Sequence, residues 1–358
     1  MSLQLFRASG FRCLEDLEIQ PDSRLNIVTG PNASGKTSLL EALFYLGRGR
    51  SFRNAGNREL IKSSATGFTL YGETVSRETT ARLGVEVQIG ERRVRVNGEN
   101  GNGGDLATIL PVQAIDPEVH ELVQGGPEQR RRFLDWGVFH VKHEFLNTWR
   151  RYQKALRQRN AALRQKEPDN RVKLWDNELI EQGERVHSLR KSFIEAYLPL
   201  FVSIIDENLP FESICSYKHG WSPNVGFDEA LANSWKRDRA FGATQVGPHR
   251  ADLQIEVQDR RARHRVSRGQ QKMLAAAMVI AQVRYVAGVT DTELLLLVDD
   301  PAAELDRENR ARLFTLLRDM PAQMFMTALE AADLPPAESL SDRAKSFHID
   351  HGKVSALV

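Results

Sequence analysis

The sequence predicts an α/β lobe made from both ends of the chain, with a mostly helical second lobe inserted between them. Three observations lead there. Near the start, the apolar run Leu25-Asn26-Ile27-Val28 leads into Gly30-Pro31-Asn32-Ala33-Ser34-Gly35-Lys36-Thr37 and then into the helix-like Ser38-Leu39-Leu40-Glu41-Ala42-Leu43-Phe44. Near the end, Leu294-Leu295-Leu296-Leu297-Val298 reads as a buried strand that stops at two adjacent carboxylates, Asp299 and Asp300. Between them, from Pro117, the hydrophobic period changes from two to about 3.6, and it returns to two near Ala251.

The elements follow in order. The first twenty residues alternate as a strand pair, with Leu3, Leu5, Leu17 and Ile19 pointing inward. After the first helix comes the basic, glycine-broken loop Gly47-Arg48-Gly49-Arg50-Ser51-Phe52-Arg53. Phe68 to Val96 alternates again, and Asn97-Gly98 and the glycines through Gly104 end that sheet. Segments 128–166 and 171–197 read as helices separated by Glu167-Pro168-Asp169-Asn170. Pro168, Gly183, Pro199 and Pro210 interrupt this region too often for a long coiled coil. A strand over 251–257, a helix over 269–285, the strand 294–298, a helix over 307–318 and strands at 324–327 and 347–350 complete the set. The ends of the chain, 1–112 with 290–358, make the first lobe; residues 113–289 make the second. A length of 358 residues favours two lobes over one, and 41% apolar residues leave ample material for a core.

Two cysteines, Cys13 and Cys215, fit a reduced, cytoplasmic compartment better than a lone disulfide, and they cannot form a metal site by themselves. No uncharged apolar run reaches the ~18 residues of a membrane helix, so a soluble protein without a membrane partner is expected. The net charge of +2 conceals clustering. Gln129–Lys166 holds eleven Lys/Arg against the two acids Asp135 and Glu144, and Lys236–Lys272 holds ten against four. Such blocks serve equally as solvated helix faces or as a polyanion footprint, and charge alone does not decide.

The chemistry is sharper than the charge. In G-x-x-x-x-G-K-T, Gly30 and Gly35 let backbone N–H groups turn toward a phosphate. The helix N-terminus adds a positive dipole end, Lys36 reaches the β/γ-phosphates, and Thr37 can ligate Mg²⁺. A nucleoside triphosphate site also needs a metal-side carboxylate and a group that positions water. Asp299 is the natural metal-side acid, with Asp300 beside the γ-phosphate, and Pro301-Ala302-Ala303-Glu304-Leu305-Asp306 continues from them. About thirty residues earlier, Ser267-Arg268-Gly269-Gln270-Gln271-Lys272 opens an Ala-rich helix. Ser267 can cap it, and Gly269 lets a phosphate approach its end.

This trio resembles the ATP-binding-cassette ATPase superfamily, with its Walker A, signature, Walker B and D-loop segments. The resemblance implies a head of the SMC/Rad50 type without a long coiled coil, ATP and Mg²⁺ as cofactors, and a homodimer that closes on ATP. Ser267, Gly269 and Gln270 would then act on the nucleotide of a second copy, with Asp306 near the same interface. Gln113 is the best Q-loop candidate, and Thr327 falls where the switch residue belongs, a place usually held by His. Walker B usually ends Asp-Glu. Here Asp300 is one methylene shorter, and a displacement of about 1 Å can lower a rate about 10²-fold, so slow hydrolysis is expected.

Gly47–Arg53, Pro117-Glu118 to Asp135, Gly247-Pro248-His249-Arg250-Ala251-Asp252-Leu253 and Leu296–Asp306, in this order, are similar to the RecF family of bacterial recombination mediators. The resemblance covers nearly the whole chain. It implies binding to single- and double-stranded DNA at gaps, with RecR-type and RecO-type partners, to help load RecA in recombinational repair and replication restart. Ala33 and Ala303 depart from the usual glycine and serine; Ala33, acting through its backbone, should matter little. Arg130, Arg131, Arg132, Arg150, Arg151, Arg157 and Arg159 are the candidate phosphate contacts. Trp136, Phe139, Phe145, Trp149 and Tyr152 fall near helical spacing and read as core. The alternative is a cassette ATPase of another system, transporter-associated or a nucleotide-dependent scaffold.

Overall fold

The computed structural model describes residues 1–358 apart from Arg77, Glu78, Glu212, Gln258, Asp259, Ala302, Glu304, Asp319 and Val358. The chain divides into two units, one of Met1–His120 with Arg268–Val358 and one of Glu121–Ser267. The boundaries expected at 112/113 and 289/290 differ mainly by the Ala-rich helix, which lies in the first unit for a packing reason given below.

The first unit holds two sheets. One is antiparallel: Ser2–Ser9 (β1), Leu17–Ile19 (β2), Gly67–Ser76 (β4), Thr79–Gln88 (β5), Glu91–Val96 (β6) and Glu99–Asn100 (β7), in the order β2-β1-β4-β5-β6-β7. The other comprises Leu25–Thr29 (β3), Val112–Ile115 (β8), Leu294–Val298 (β12), Ala322–Ala328 (β13), Ala344–Asp350 (β14) and Lys353–Leu357 (β15). Its order is β15-β14-β3-β13-β12-β8, parallel except for β15. Every residue of β3, β12 and β13 is buried, which is why these strands read as unbroken apolar runs.

Helix Lys36–Arg48 (α1) lies among side chains of both sheets. Its Leu39, Leu40, Leu43, Tyr45 and Leu46 share one core with Leu3, Phe6, Leu70 and Val85 of the first sheet and Val28, Leu295, Phe325 and Phe347 of the second. A helix covered on two sides needs no polar face, and its one buried acid, Glu41, is held by Arg12 at 2.9 and 3.1 Å and by the Ser51 hydroxyl. Short helices Asn57–Leu60 (α2) and Gly103–Ile109 (α3) complete the N-terminal half, and Arg307–Leu317 (α12) follows β12.

Helix Arg268–Thr290 (α11) is the Ala-rich one. By length and composition it is apolar enough to cross a membrane, although Lys272 and Arg284 interrupt it and no uncharged run reaches ~18 residues; here it is mostly buried inside its unit. It packs against β8, β12 and α12, and its buried face from Leu274 to Ala281 mixes the alanines 275–277 and 281 with Leu274, Met278, Val279 and Ile280. Those contacts place it in the first unit.

The second unit contains Glu121–Gln124 (α4), Pro127–Val141 (α5), Phe145–Arg164 (α6), Asp169–Lys173 (α7), Asp176–Asn208 (α8), Phe227–Asn233 (α9) and Trp235–Phe241 (α10). A small sheet of Ser213–Lys218 (β9), Asp252–Val257 (β10) and Arg260–Arg261 (β11) has the order β11-β10-β9. The single helix expected over 128–166 breaks at Lys142–Glu144, where neither proline nor glycine signals it. Conversely, α8 runs through Pro199, whose ring lies on the exposed side, so the carbonyl it leaves unbonded need not be buried.

Buried arginines organise this unit's interior. Arg159, fully buried, donates to Asp176 at 2.8 Å, to Asp238 at 2.7 Å and to the Thr244 hydroxyl at 2.8 Å. Arg190 pairs with Asp135 at 2.7 and 2.9 Å, donates to the Pro248 carbonyl and lies 5.1 Å from the Trp149 ring centre. Trp136, Phe145 and Tyr152 are buried and Phe139 and Trp149 half-buried, which fits a core role. Removing one partner strands the other's charge, so Asp238→Ala should destabilise the protein by about 3–5 kcal/mol. Urea unfolding measures this, and a loss below about 1 kcal/mol would show that water reaches Arg159.

Candidate nucleotide site

The parallel order β3-β13-β12 brings three loop starts to one sheet edge: the glycine-rich loop after β3, Thr327 near the end of β13, and Asp299-Asp300 after β12. The loop is shaped by its glycines. Gly30 has φ 154°, and a Cβ there would lie 2.1 Å from the Ile349 carbonyl oxygen, so only glycine fits. Gly35 (φ 116°) opens α1. Ala33 takes φ 61°, a left-handed conformation that costs a non-glycine residue roughly 1 kcal/mol. Its side chain therefore matters more than the sequence reading allowed.

Pro31, Asn32 and Ala33 are exposed, while Ser34 is buried with a hydroxyl that makes no hydrogen bond among the described residues. Lys36 Nζ folds over the loop and donates to the carbonyls of Gly30 at 2.6 Å and Pro31 at 2.9 Å. Burial lowers the Lys36 pKa, and Asp300 and Asp299 oppose that shift. Ser38, next along, faces the Cys13 thiol at 3.4 Å. A turn missed in the sequence braces the loop from outside: the N–H of Gly352, between β14 and β15, donates to the Ser34 carbonyl at 2.8 Å.

At the centre, Asp299 Oδ1 accepts from Thr327 Oγ1 at 2.7 Å and from Thr37 Oγ1 at 3.2 Å. The Thr327 hydroxyl in turn accepts from the Asp300 N–H at 2.9 Å. Asp300 itself has φ 46°, so the chain turns sharply there. Burial raises the Asp299 pKa, and the two hydroxyl bonds oppose it. Thr37 and Asp299 together offer the hard oxygen donors that Mg²⁺ takes alongside phosphates.

Three further expected residues are each held by bonds within the chain. Gln113 is buried in β8, where its Nε2 donates to Gln282 Oε1 of α11 at 2.5 Å. Thr327 is fully buried, with its hydroxyl engaged by Asp299 and Asp300. Asp306 caps α12, accepting from the Asn309 N–H at 2.8 Å. In the signature, Ser267 is exposed just before α11. A Cβ on Gly269 would meet nothing closer than Asn309 Nδ2 at 3.9 Å, so the end of α11 is open. Ala303 N–H donates to the Asp300 carbonyl at 3.0 Å, while Ala302 and Glu304 lie outside the described residues.

Sequence reasoning missed Asp116. It ends β8 and lines a cavity with Lys272, Asp299 and Asp300. An acid followed by Pro117 after a four-residue strand is the signal that could have found it. Burial pushes its pKa up to about 6; the Glu118 N–H bond and Lys272 pull down, while Asp299 adds to the rise.

Among the candidate phosphate contacts, Arg130 and Arg159 are buried on carboxylates, Arg130 giving two bonds to Asp252 at 2.7 and 3.2 Å. Their charge is neutralised internally, which removes both from an outer footprint. Arg131 is half-buried and donates to the Ala251 carbonyl; Arg132, Arg150, Arg151 and Arg157 are exposed. Most of the Gly247–Leu253 stretch is likewise internal, with Arg250 exposed. A Cβ on Gly247 would meet Tyr152 Oη at 2.7 Å, and His249 lies 2.6 Å from that same hydroxyl.

The family model described as RecF/RecN/SMC N terminal domain matches residues 2–346. The DNA replication and repair protein RecF of Cellvibrio japonicus is 38% identical over 363 residues, covering 99% of both chains. The protein of the same name from Pseudomonas aeruginosa is 38% identical over 360 residues, covering 99% of this chain and 98% of its own. Among solved structures, the recombination mediator RecF with ATP aligns with a TM-score of 0.89 at 24% identity, covering 100% of this chain and 98% of that one. An Smc head bound to the winged-helix domain of ScpA aligns at 0.61 and 15% identity, covering 100% and 98%. These structural likenesses speak for the fold.

Asp116 yields a pH prediction. Its folded pKa of about 6 exceeds the ordinary 3.8, so the folded state binds the extra proton and this group's contribution to stability declines as pH rises between those values. Asp116→Asn should match wild type near pH 4 and exceed it by about 1–3 kcal/mol near pH 7.5. Urea midpoints at the two pH values test this, and equal midpoints at the higher one would refute it.

Proposed function

This chain belongs to the RecF family, and on that premise we propose that it is a Mg²⁺-dependent ATPase that dimerises on ATP to hold DNA during recombinational repair. The observation that carries the reading is the Thr37–Asp299–Thr327 cluster beside Lys36 and an open glycine-rich loop. In this reading the loop amides and Lys36 hold the phosphates, Thr37 and Asp299 hold Mg²⁺, and Asp300 orients the attacking water. Thr327 acts as a positioning residue that fixes both acids. Ser267, Gly269 and Gln270 of a second copy cover the γ-phosphate, and Asp306 lies close to that contact.

The fit to ATP rests on this chain's own atoms. The buried Ser34 hydroxyl has no partner among the described residues, and the Lys36 ammonium is satisfied by loop carbonyls that it can exchange for phosphate oxygens. Support for DNA comes from α6, where Arg150, Lys154, Arg157 and Arg164 recur at helical spacing on an exposed face, with Arg132 and Arg151 as further exposed bases. Slow hydrolysis would time release. RecR-type and RecO-type proteins are the partners this assignment implies, with RecA loading at gaps as the outcome and the cytoplasm as the compartment.

Sedimentation velocity with ATP and Mg²⁺, with and without gapped DNA, tests the gate. Wild type should dimerise on ATP and retain DNA, while Lys36→Ala and Ser267→Arg should stay monomeric. Dimerisation that ignores nucleotide would sink the reading. Thr327→Val should lower turnover by about 10–100-fold with ATP affinity little changed, since it misplaces acids without removing them. Steady-state turnover and nucleotide titration separate the two effects, and unchanged turnover would count against a positioning role.

A further inference from the structure

The segment leading into the signature carries an unusual charge: residues 260–268 contain five arginines, His264 and no acid. Its geometry is built to present that charge. β11 pairs antiparallel with β10, Val257 opposite Arg260 and Glu256 opposite Arg261. A 3₁₀ turn over Ala262–His264 follows. Ala262 and Val257 are buried and anchor the ribbon, and the N–H groups of Arg265 and Val266 both donate to the Ala262 carbonyl, at 2.9 and 3.1 Å. Around this anchor Arg260, Arg261, Arg263, His264 and Arg265 are all exposed. Neither Arg260 nor Arg261 forms an ion pair among the described residues.

Arg261 and Arg263 also line a small hollow with Arg130, Asp252 and Gln254. The one carboxylate in that hollow, Asp252, is already paired twice by Arg130, which leaves a net positive wall. Resting on the DNA reading above, we propose that Arg260, Arg261 and Arg263 form a DNA-backbone contact, with one phosphate lying across the mouth of this hollow. Guanidinium groups suit phosphate oxygens through their planar paired donors. A protein partner is the poorer occupant: from Arg260 to Arg265 the only apolar side chain is Ala262, and it is buried, so the ribbon offers none of the aromatic or aliphatic anchors that dominate protein interfaces. The chain reaches Ser267 two residues after Arg265, which ties the contact covalently to the signature segment.

The test is the salt dependence of binding by the full chain to a short labelled duplex, with ATP and Mg²⁺, between about 50 and 200 mM salt. The Arg260→Gln/Arg261→Gln/Arg263→Gln variant should lower the slope of log affinity against log salt by about 2–3 and weaken binding about 10- to 100-fold at 0.1 M. Arg260→Gln alone should lower the slope by about 0.9. ATP affinity and the far-UV circular dichroism should not change, which excludes misfolding. An unchanged slope, in a wild type that does bind DNA, would overturn the contact and leave the DNA reading standing. A wild type that binds no duplex would overturn both. If the variant keeps DNA but loses polyglutamate, the ribbon belongs to an acidic protein and the proposal fails.

Discussion

The Asp299 carboxylate is the joint on which the nucleotide site depends. It receives one hydroxyl from α1 and one from β13 while standing at the end of β12, so a single acid ties three elements together. A buried carboxylate without donors would be costly to keep ionised; here two hydroxyl bonds oppose the rise in pKa that burial causes. The parallel register makes this possible, because neighbouring strands that run the same way end at the same edge. Lys36, the open loop and the sharp turn at Asp300 are arranged around that joint.

The second unit solves a different problem, that of placing arginines in an interior. Arg130, Arg159 and Arg190 each meet at least one carboxylate and a further acceptor. Breaking such pairs is far worse than lacking them, so they act as rules about which helices must meet. A basic block therefore divides into residues that specify the fold and residues that remain outside to meet an anion.

Spacing explains what could be read in advance. The glycine-rich loop, the run 294–300 and the signature were legible because phosphate chemistry demands those residue types at fixed offsets within short segments. The antiparallel sheet was legible from alternation between Phe68 and Val96. The bond of Gln113 was not legible because its partner Gln282 is far off in sequence and no local pattern marks it. Arg159 carried a readable signal: it continues the apolar stripe Tyr152, Ala155, Leu156 and Leu163 on α6, which places it on the inner face. The break between α5 and α6 had none, since tertiary packing ends those helices without a breaker residue.

The C-terminal hairpin has an implication for how the protein is made. β3 lies between β13 and β14, and the Gly352 N–H donates to the Ser34 carbonyl, so part of the support of the N-terminal glycine-rich loop is translated long after it. A ribosome that has finished α11 has yet to deliver β12, β13 and β14. Until then a long apolar helix lacks part of its cover, and β3 lacks both of its neighbouring strands. The glycine-rich loop and the Ala-rich helix thus both rely on strands that follow them in the chain, so neither is fully supported by the segments made before it.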